Sequence, residues 1–409
     1  MSKLTKCRSC SSERLTTFLD LGVQPIANAL LDRGDLAQPE PRFPLQLAFC
    51  EDCALVQVTE TIPAEVLFGR DYPYFSSFSA ALLEHSREHV QSLLEERELG
   101  PSSLVVEIAS NDGYLLQNFV AAGVPVLGID PAEGPVRAAR ERGIPTMQAF
   151  FGADLARKLA SEGKRADVMI ANNVAAHVDS INDFIEGFAT LLKDDGLARM
   201  EFAYLRDLIE KCEFDTVYHE HLFYHSATAL EPLFRRHGLY LNDVERLKIH
   251  GGSLRITVSK KPGKSPRLLT ILQEEASLGM NTIAYYQQFS ERVSQLRVKL
   301  IQLLEQERAK GFRIAAYGAA AKGATLLNYT GLKPGLIEYV VDKNTHKVGK
   351  YMPGVQLQIR PVETLTSDRP DYVLILAWNF GSEIMAQSRD YTDLGGRFVL
   401  PVPEPRIVE

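Results

Sequence analysis

Short apolar runs punctuate this chain, and most end in a polar turn that leads into helix-forming sequence. Runs too short for a helix and bounded by turn residues predict buried strands, and the repeated strand–turn–helix order predicts parallel pairing. Leu104-Val-Val-Glu-Ile-Ala-Ser-Asn-Asp-Gly-Tyr-Leu-Leu116 is one such unit, with Gly113 in its turn. Val126–Asp130, Ala166–Ala171 and Leu197–Phe202 are further strands, and a helix is expected around Ala227–His237. Leu239–Leu247 and Ser253–Ser259 read as an antiparallel hairpin turned at Gly251-Gly252. Ahead of them a helix runs through His85 and His89 to Leu99, with Ser76 or Ser77 as its cap. Lys260–Pro266 has the composition of a linker. Beyond it, one long helical region over 268–310 carries Leu296, Leu300, Leu303 and Leu304 at helical spacing. Strands follow at 313–317, Ile337–Asp342 and Asp371–Asn379. The fold class is therefore α/β in three parts: a small subdomain over 1–65, a Rossmann-like domain over 66–260, and a helical linker with a second Rossmann-like domain over 261–409.

Composition changes this picture mainly by exclusion. A chain of 409 residues exceeds one ordinary core, and 45% hydrophobic with 24% charged residues marks a globular protein. A net charge of −7 argues against a general nucleic-acid binder. No apolar run is long enough to span a membrane, and Met-Ser-Lys-Leu-Thr-Lys-Cys7 lacks the core of a signal peptide. A cytoplasmic monomer without nucleic-acid or membrane partners is the expectation.

Four of the five cysteines fall in two Cys-x-x-Cys pairs, Cys7/Cys10 and Cys50/Cys53. Each pair sits on a tight turn, and together they can place four thiolates at the corners of a tetrahedron, which points to structural zinc. Four thiolates leave no open position for catalysis. The segments Leu21–Asn28 and Pro44–Cys50 between the pairs look like turn and strand material. Cys212 stands alone as a small packed side chain.

The turn Glu107-Ile-Ala-Ser110-Asn111-Asp112-Gly113 is not Gly-x-Gly-x-x-Gly, and its acids would repel a pyrophosphate. Asp130, ending the second strand, suits a bidentate hold on ribose hydroxyls. An adenosine ligand without phosphates fits both observations, and S-adenosyl-L-methionine (SAM) adds a cationic sulfonium. Asn172 and His177 follow the next strand, where side chains face the ligand crevice. In the last third, Tyr317-Gly-Ala-Ala-Ala-Lys322-Gly323 places small residues and a cation where a phosphate could approach a helix N-terminus.

The richest chemistry lies in Thr216-Val-Tyr-His-Glu-His-Leu-Phe-Tyr-His-Ser226, which holds three of nine histidines. With Tyr218, Glu220 and Tyr224, these histidines make a set that can move protons near neutral pH. A metal set built on His219, His221 and His225, or a solvated polar loop, are the alternatives; the helical His-Glu-x-x-His pattern is absent. Tyr72 and Tyr74, in Asp71-Tyr-Pro-Tyr-Phe-Ser-Ser77, form an aromatic lip that either covers a small-molecule site or only packs.

Taken together, the two Cys-x-x-Cys pairs, Tyr72-Pro-Tyr-Phe-Ser-Ser77, Glu107–Gly113, Tyr218-His-Glu-His221, His250-Gly-Gly-Ser-Leu-Arg255 and Tyr317–Gly323 resemble the C-methyltransferases that act on nucleotide-linked keto-deoxysugars. The resemblance covers nearly the whole chain. It implies a zinc-binding N-terminal domain, a SAM domain and a C-terminal Rossmann-like domain, with a dTDP-linked 4-keto-deoxysugar between the last two. It further implies methylation at C-3′ of a sugar destined for antibiotics. His221 would be the base, Tyr218 and Glu220 would orient it or serve the enolate oxygen, and His177, Tyr72 and Tyr74 would line the sugar pocket. Glu107, Ser110, Asn111, Asp112, Gly113, Asp130 and Asn172 would hold the cofactor, and Ser77, Tyr317 and Lys322 the substrate. Ala175 stands where Leu is expected, and Ala377 where Pro is expected. O- or N-methyl transfer and a nucleotide-sugar oxidoreductase or binding protein remain alternatives.

Overall fold

The computed structural model describes residues 2–63, 76–78 and 80–408. Strands β1 (Leu15–Pro25), β2 (Arg42–Cys50) and β3 (Val56–Val58) form an antiparallel sheet in the N-terminal part. Helix α1 (Ala80–Arg97) then leads to β4 (Val105–Ile108), β5 (Val126–Asp130), β6 (Thr146–Gln148), β7 (Ala166–Asn172) and β8 (Leu192–Ala203). After β9 (Phe223–Tyr224) and α2 (Ala227–Arg236) come the hairpin strands β10 (Tyr240–Leu247) and β11 (Ser253–Ser259). The middle sheet runs β10-β11-β8-β7-β4-β5-β6, with only β11 antiparallel to its neighbours. Strand order reverses between β4 and β7, so their C-terminal ends open a crevice there.

The expected long helix is two helices, α3 (Pro266–Ser277) and α4 (Ile283–Ala309). They separate at Gly279, whose φ of +76° is a left-handed turn conformation that a continuing helix does not allow. At the start of α1, Ser76–Phe78 form a 3₁₀ turn and the helix begins at Ala80, so neither serine is its cap. The last third adds β12 (Ile314–Tyr317), α5 (Ala321–Thr330), β13 (Val340–Val341), β14 (Ile359–Arg360), β15 (Tyr372–Ile375), β16 (Arg397–Leu400) and β17 (Arg406–Val408). These strands order as β14-β13-β12-β15-β16-β17, parallel except for β17.

Helix α4 buries Tyr286, Phe289, Val293, Leu296, Leu300 and Leu304, the stripe expected of a helix with one apolar face. Tyr286 packs on Phe18 and Phe49 of β1 and β2, at 5.1 and 4.9 Å between ring centroids. The same core continues into Ile314, Leu374 and Val399, so α4 is a spine shared by the first and last sheets. Cys212 is buried in this core, as expected. Among the described residues no helix is long and apolar enough to cross a membrane.

One buried carboxylate holds the turn after β9 in place. Glu275 of α3 is fully buried and accepts from Tyr204 Oη (2.7 Å), Ala227 N (2.9 Å), and Thr228 N and Oγ1 (2.8 and 2.5 Å). Two of these donors are free amides of the first turn of α2. Glu275→Ala is expected to cost on the order of 3 kcal/mol, because the donors stay buried without an acceptor. Chemical denaturation checks this; an unchanged midpoint would count against it.

Candidate active site

Four thiolates converge in the N-terminal part. Cys7 Sγ lies 3.6 Å from Cys53 Sγ and Cys10 Sγ 3.5 Å from Cys50 Sγ, and all four fall within 4.8 Å of one another. A tetrahedron with Zn–S bonds of 2.3 Å has S···S edges of about 3.8 Å, so the cluster fits zinc. Gln57 Nε2 donates to Cys7 Sγ at 3.2 Å, a bond suited to a thiolate. Among the described residues no other group of three or more His, Cys, Asp or Glu gathers closely enough for a metal, so His219, His221 and His225 do not form one.

The crevice at the ends of β4 and β7 is built for a cation-bearing ligand. Asp130 accepts from Asn111 N (2.9 Å) and Ala132 N (2.8 Å), which fixes its carboxylate at the end of β5. Glu107 Oε2, Ser110 Oγ, Asp112 Oδ1 and Asn172 Oδ1 are buried without a hydrogen-bond partner among the described residues. Burial, then the charges of Asp130 and Asp112, hold the Glu107 carboxyl well above its usual range. Acceptor-rich acids of one sign are what an ammonium, a sulfonium and ribose hydroxyls would satisfy. At Gly113 (φ +77°) the backbone is left-handed and a Cβ would meet the Ile144 side chain at 2.3 Å, both of which favour glycine in this turn.

Arg142, which the sequence reading missed, ties the crevice to the lip. Its Nη1 donates to Asp112 O and Oδ2 (3.2 and 3.3 Å) and its Nη2 to Ser77 Oγ (3.2 Å). Ser77 thus sits beside the cofactor turn. Tyr72 and Tyr74 lie outside the described residues.

From Asn172 the chain runs through His177 to the polar loop. Leu222 N donates to Ala176 O (2.7 Å), and the His177 and His221 rings meet edge-on with centroids 4.7 Å apart. The loop also crosses to the N-terminal sheet. There β9 pairs with β3, with Phe223 opposite Gln57 and Tyr224 opposite Val56.

Three histidines in this loop have three different tasks. His219 donates to the Pro44 carbonyl (3.2 Å) and anchors the loop to β2. His225 packs between Phe202 and Phe223, with ring centroids 4.8 and 6.0 Å away. His221 faces the site: Nδ1 lies 3.1 Å from Thr216 O and Nε2 2.8 Å from Tyr218 Oη. A carbonyl only accepts, so Nδ1 carries the proton and Nε2 takes the Tyr218 O–H. Burial first, then the neighbouring His177 and Lys322, hold the His221 pKa well below its usual 6.5. His221 is therefore neutral at physiological pH. Burial lowers His177 to about 4 and raises Glu220 to about 7, while Asn28 Nδ2 bonds both Glu220 oxygens at 2.9 Å.

Lys322 belongs to this group. Its Nζ donates to Asn379 Oδ1 (2.9 Å) and lies 4.5 Å from the Trp378 ring centroid. Tyr317 faces the other side of that sheet, among Tyr339, Ile375 and Ile384. The structure thus gathers Tyr218, Glu220, His221, His177 and Lys322, and leaves Tyr317 apart. Asn28, Asp215 and Trp378 were missed. The one trace of Asn28 was its place as the polar end of an apolar segment.

Residues 7–68 match a family described as "Putative zinc binding domain", 82–244 a "Methyltransferase domain", and 248–403 a "C-methyltransferase C-terminal domain". The chain is 34% identical to C-methyltransferase NovU of Streptomyces niveus over 410 residues, covering 99% of this chain and 97% of that protein. Ubiquinone biosynthesis O-methyltransferase of Bartonella bacilliformis is 28% identical over 94 residues, 23% of this chain and 38% of that protein. Magnesium protoporphyrin IX methyltransferase from Synechocystis PCC 6803 with bound SAM superposes with a TM-score of 0.35 at 16% identity, covering 48% of this chain and 89% of that one. With its zinc-type cysteine cluster, its SAM-type crevice and a relative matched from end to end, the chain belongs to the SAM-dependent C-methyltransferase family.

Proposed function

We propose that this enzyme methylates carbon C-3′ of a dTDP-linked 4-keto-deoxysugar, with His221 as the base that first removes the α-proton. The observation that carries this reading is the part-buried Tyr218–His221 pair, whose tautomer leaves Nε2 as the basic atom. SAM supplies an electrophilic methyl group; the protein's task is to make the substrate carbon a nucleophile. A proton beside a ketone is acidic enough for imidazole only if the enolate oxygen is stabilised as it forms. Tyr218 O–H, bonded to Nε2 at 2.8 Å, can turn to that oxygen as His221 Nε2 takes the carbon's proton. The electron pair of the broken C–H bond would then form the new C–C bond while the methyl–sulfur bond breaks with its pair left on sulfur as a neutral thioether, and the proton stays on the imidazole. Burial keeps water from competing for the base.

Support for a nucleotide-linked substrate comes from the last domain, which repeats the ribose-acid geometry of the middle one. Asp342 ends the short strand β13 and accepts from Ala319 N and Asn344 N, both at 2.7 Å. Asp130 accepts in the same way from the turn after β4 and from the amide two residues on. On this reading the last domain holds the nucleotide and the middle one the cofactor, with the sugar directed toward His221.

Calorimetry with S-adenosylhomocysteine (SAH) on the wild type and Asp130→Ala should show binding that the mutant loses. With SAH bound, dTDP-4-keto-deoxysugars in D2O should then exchange their C-3′ proton. Methyl transfer to oxygen or nitrogen would leave that C–H unexchanged and would sink the carbon reading.

A further inference from the structure

We infer that Trp378 and Asp215 together act as a positioning device that fixes the tautomer and orientation of His221 through the Thr216 carbonyl. The inference rests on the reading of His221 as the base. Thr216 ends the 3₁₀ turn Phe214–Thr216, and its carbonyl is the partner of His221 Nδ1. Both residues flanking Thr216 are gripped from the C-terminal domain. On one side Trp378 Nε1 donates to Asp215 Oδ2 at 2.7 Å. On the other, Thr325 Oγ1 of α5 donates to Val217 O at 3.2 Å. The residue between these two ties is the one that orients the imidazole.

Asp215 is 0% exposed, and an ionisable acceptor in such a place costs more than a neutral one. Trp378 follows the C-terminal end of β15 and also supports Lys322 under its ring. The charged and titratable groups facing Asp215 are Lys322, Glu213 and Cys212; those facing His221 are His177, Tyr218, Tyr224 and Lys322. Burial raises the Asp215 carboxyl to about 6, against the pull of Lys322 and the indole N–H. The indole bond thus keeps a strong acceptor beside the turn that orients the base. Because Trp378 follows the C-terminal end of β15, the last domain reaches His221 through Asp215 and the Thr216 carbonyl.

The test uses the full chain labelled with ¹⁵N-histidine, with SAH bound and no sugar substrate, so it stands whether or not the sugar reading does. Imidazole correlations from about pH 5.5 to about pH 8.5 should show wild-type His221 as one neutral Nδ1–H tautomer throughout. Trp378→Phe, which keeps a ring and removes the donor, should lose that single-tautomer signature with unchanged SAH affinity. Asp215→Asn retains an acceptor and should keep the signature; Asp215→Ala should lose it. Where turnover is measured, Trp378→Phe should lose about 10²-fold in kcat with KM retained, the effect of a base displaced by about 1 Å. A wild-type signature in both Trp378→Phe and Asp215→Ala would overturn the inference. So would its loss in Asp215→Asn, because charge and not the bond would then be the cause.

Discussion

Stripping the metal from the four-cysteine cluster is expected to unfold the N-terminal sheet and abolish methyl transfer while the SAH site survives. The reason is the size of the competing terms. Zinc bound by a site of this kind contributes about 10–16 kcal/mol in isolated fingers, whereas a whole domain is stable by about 5–15 kcal/mol. A subdomain of some sixty residues buries too little surface to stand without its metal. Loss of activity follows from connectivity. Gln57 donates to Cys7 Sγ and is also the cross-strand partner of Phe223, two residues past His221. Asn28, from the same subdomain, holds the Glu220 carboxylate. Melting of β3 would therefore release the base from its loop. The crevice acids lie on β4, its turn and β5, outside that sheet. Elemental analysis should find one zinc per chain. Chelation, or Cys10→Ser with Cys50→Ser, should produce a lower first melting transition and near-zero turnover, with SAH still bound. A chelated protein with unchanged melting and activity would defeat this account.

His221→Ala is expected to slow turnover by about 10²–10⁴-fold, the usual share of a positioned base, with SAH affinity unchanged. Tyr218→Phe should retain more activity, since it removes a donor and leaves the imidazole in place. Deuterium exchange at the substrate carbon should fall with turnover in His221→Ala; exchange at the wild-type rate would remove His221 from the role. The pH dependence is also specific. His221 is held well below 6.5, so it stays neutral across the working range. Glu220, raised to about 7 by burial, is the group of this loop that ionises near neutrality. Its carboxylate, one residue from the base, favours the imidazolium that forms as the proton is taken. The rate should therefore rise with pH through about 7 and level off above it, and Glu220→Gln should flatten that limb. A limb near 7 that persists in Glu220→Gln would assign it elsewhere.

The sequence by itself determined the parts whose signals are local. Two-residue gaps within each cysteine pair dictate turns that aim thiolates together, so the cluster was legible despite the long segment between the pairs. The run from Leu104 to Leu116 carries its own strand period, turn and helix start, and an acid at the end of the next strand marks a ribose site in any sheet of this order. The break between α3 and α4 was written in Gly279, but apolar spacing on both sides concealed it. Only the tertiary structure decided which histidine does what. The stretch from Thr216 to Ser226 has no apolar period to orient it, so its side chains take direction from distant partners. His219 answers to Pro44, Glu220 to Asn28, and Asp215 to Trp378, across 175, 192 and 163 residues of chain. His221 is left against Tyr218 and His177, between a strand pairing on one side and the Thr325–Val217 contact on the other.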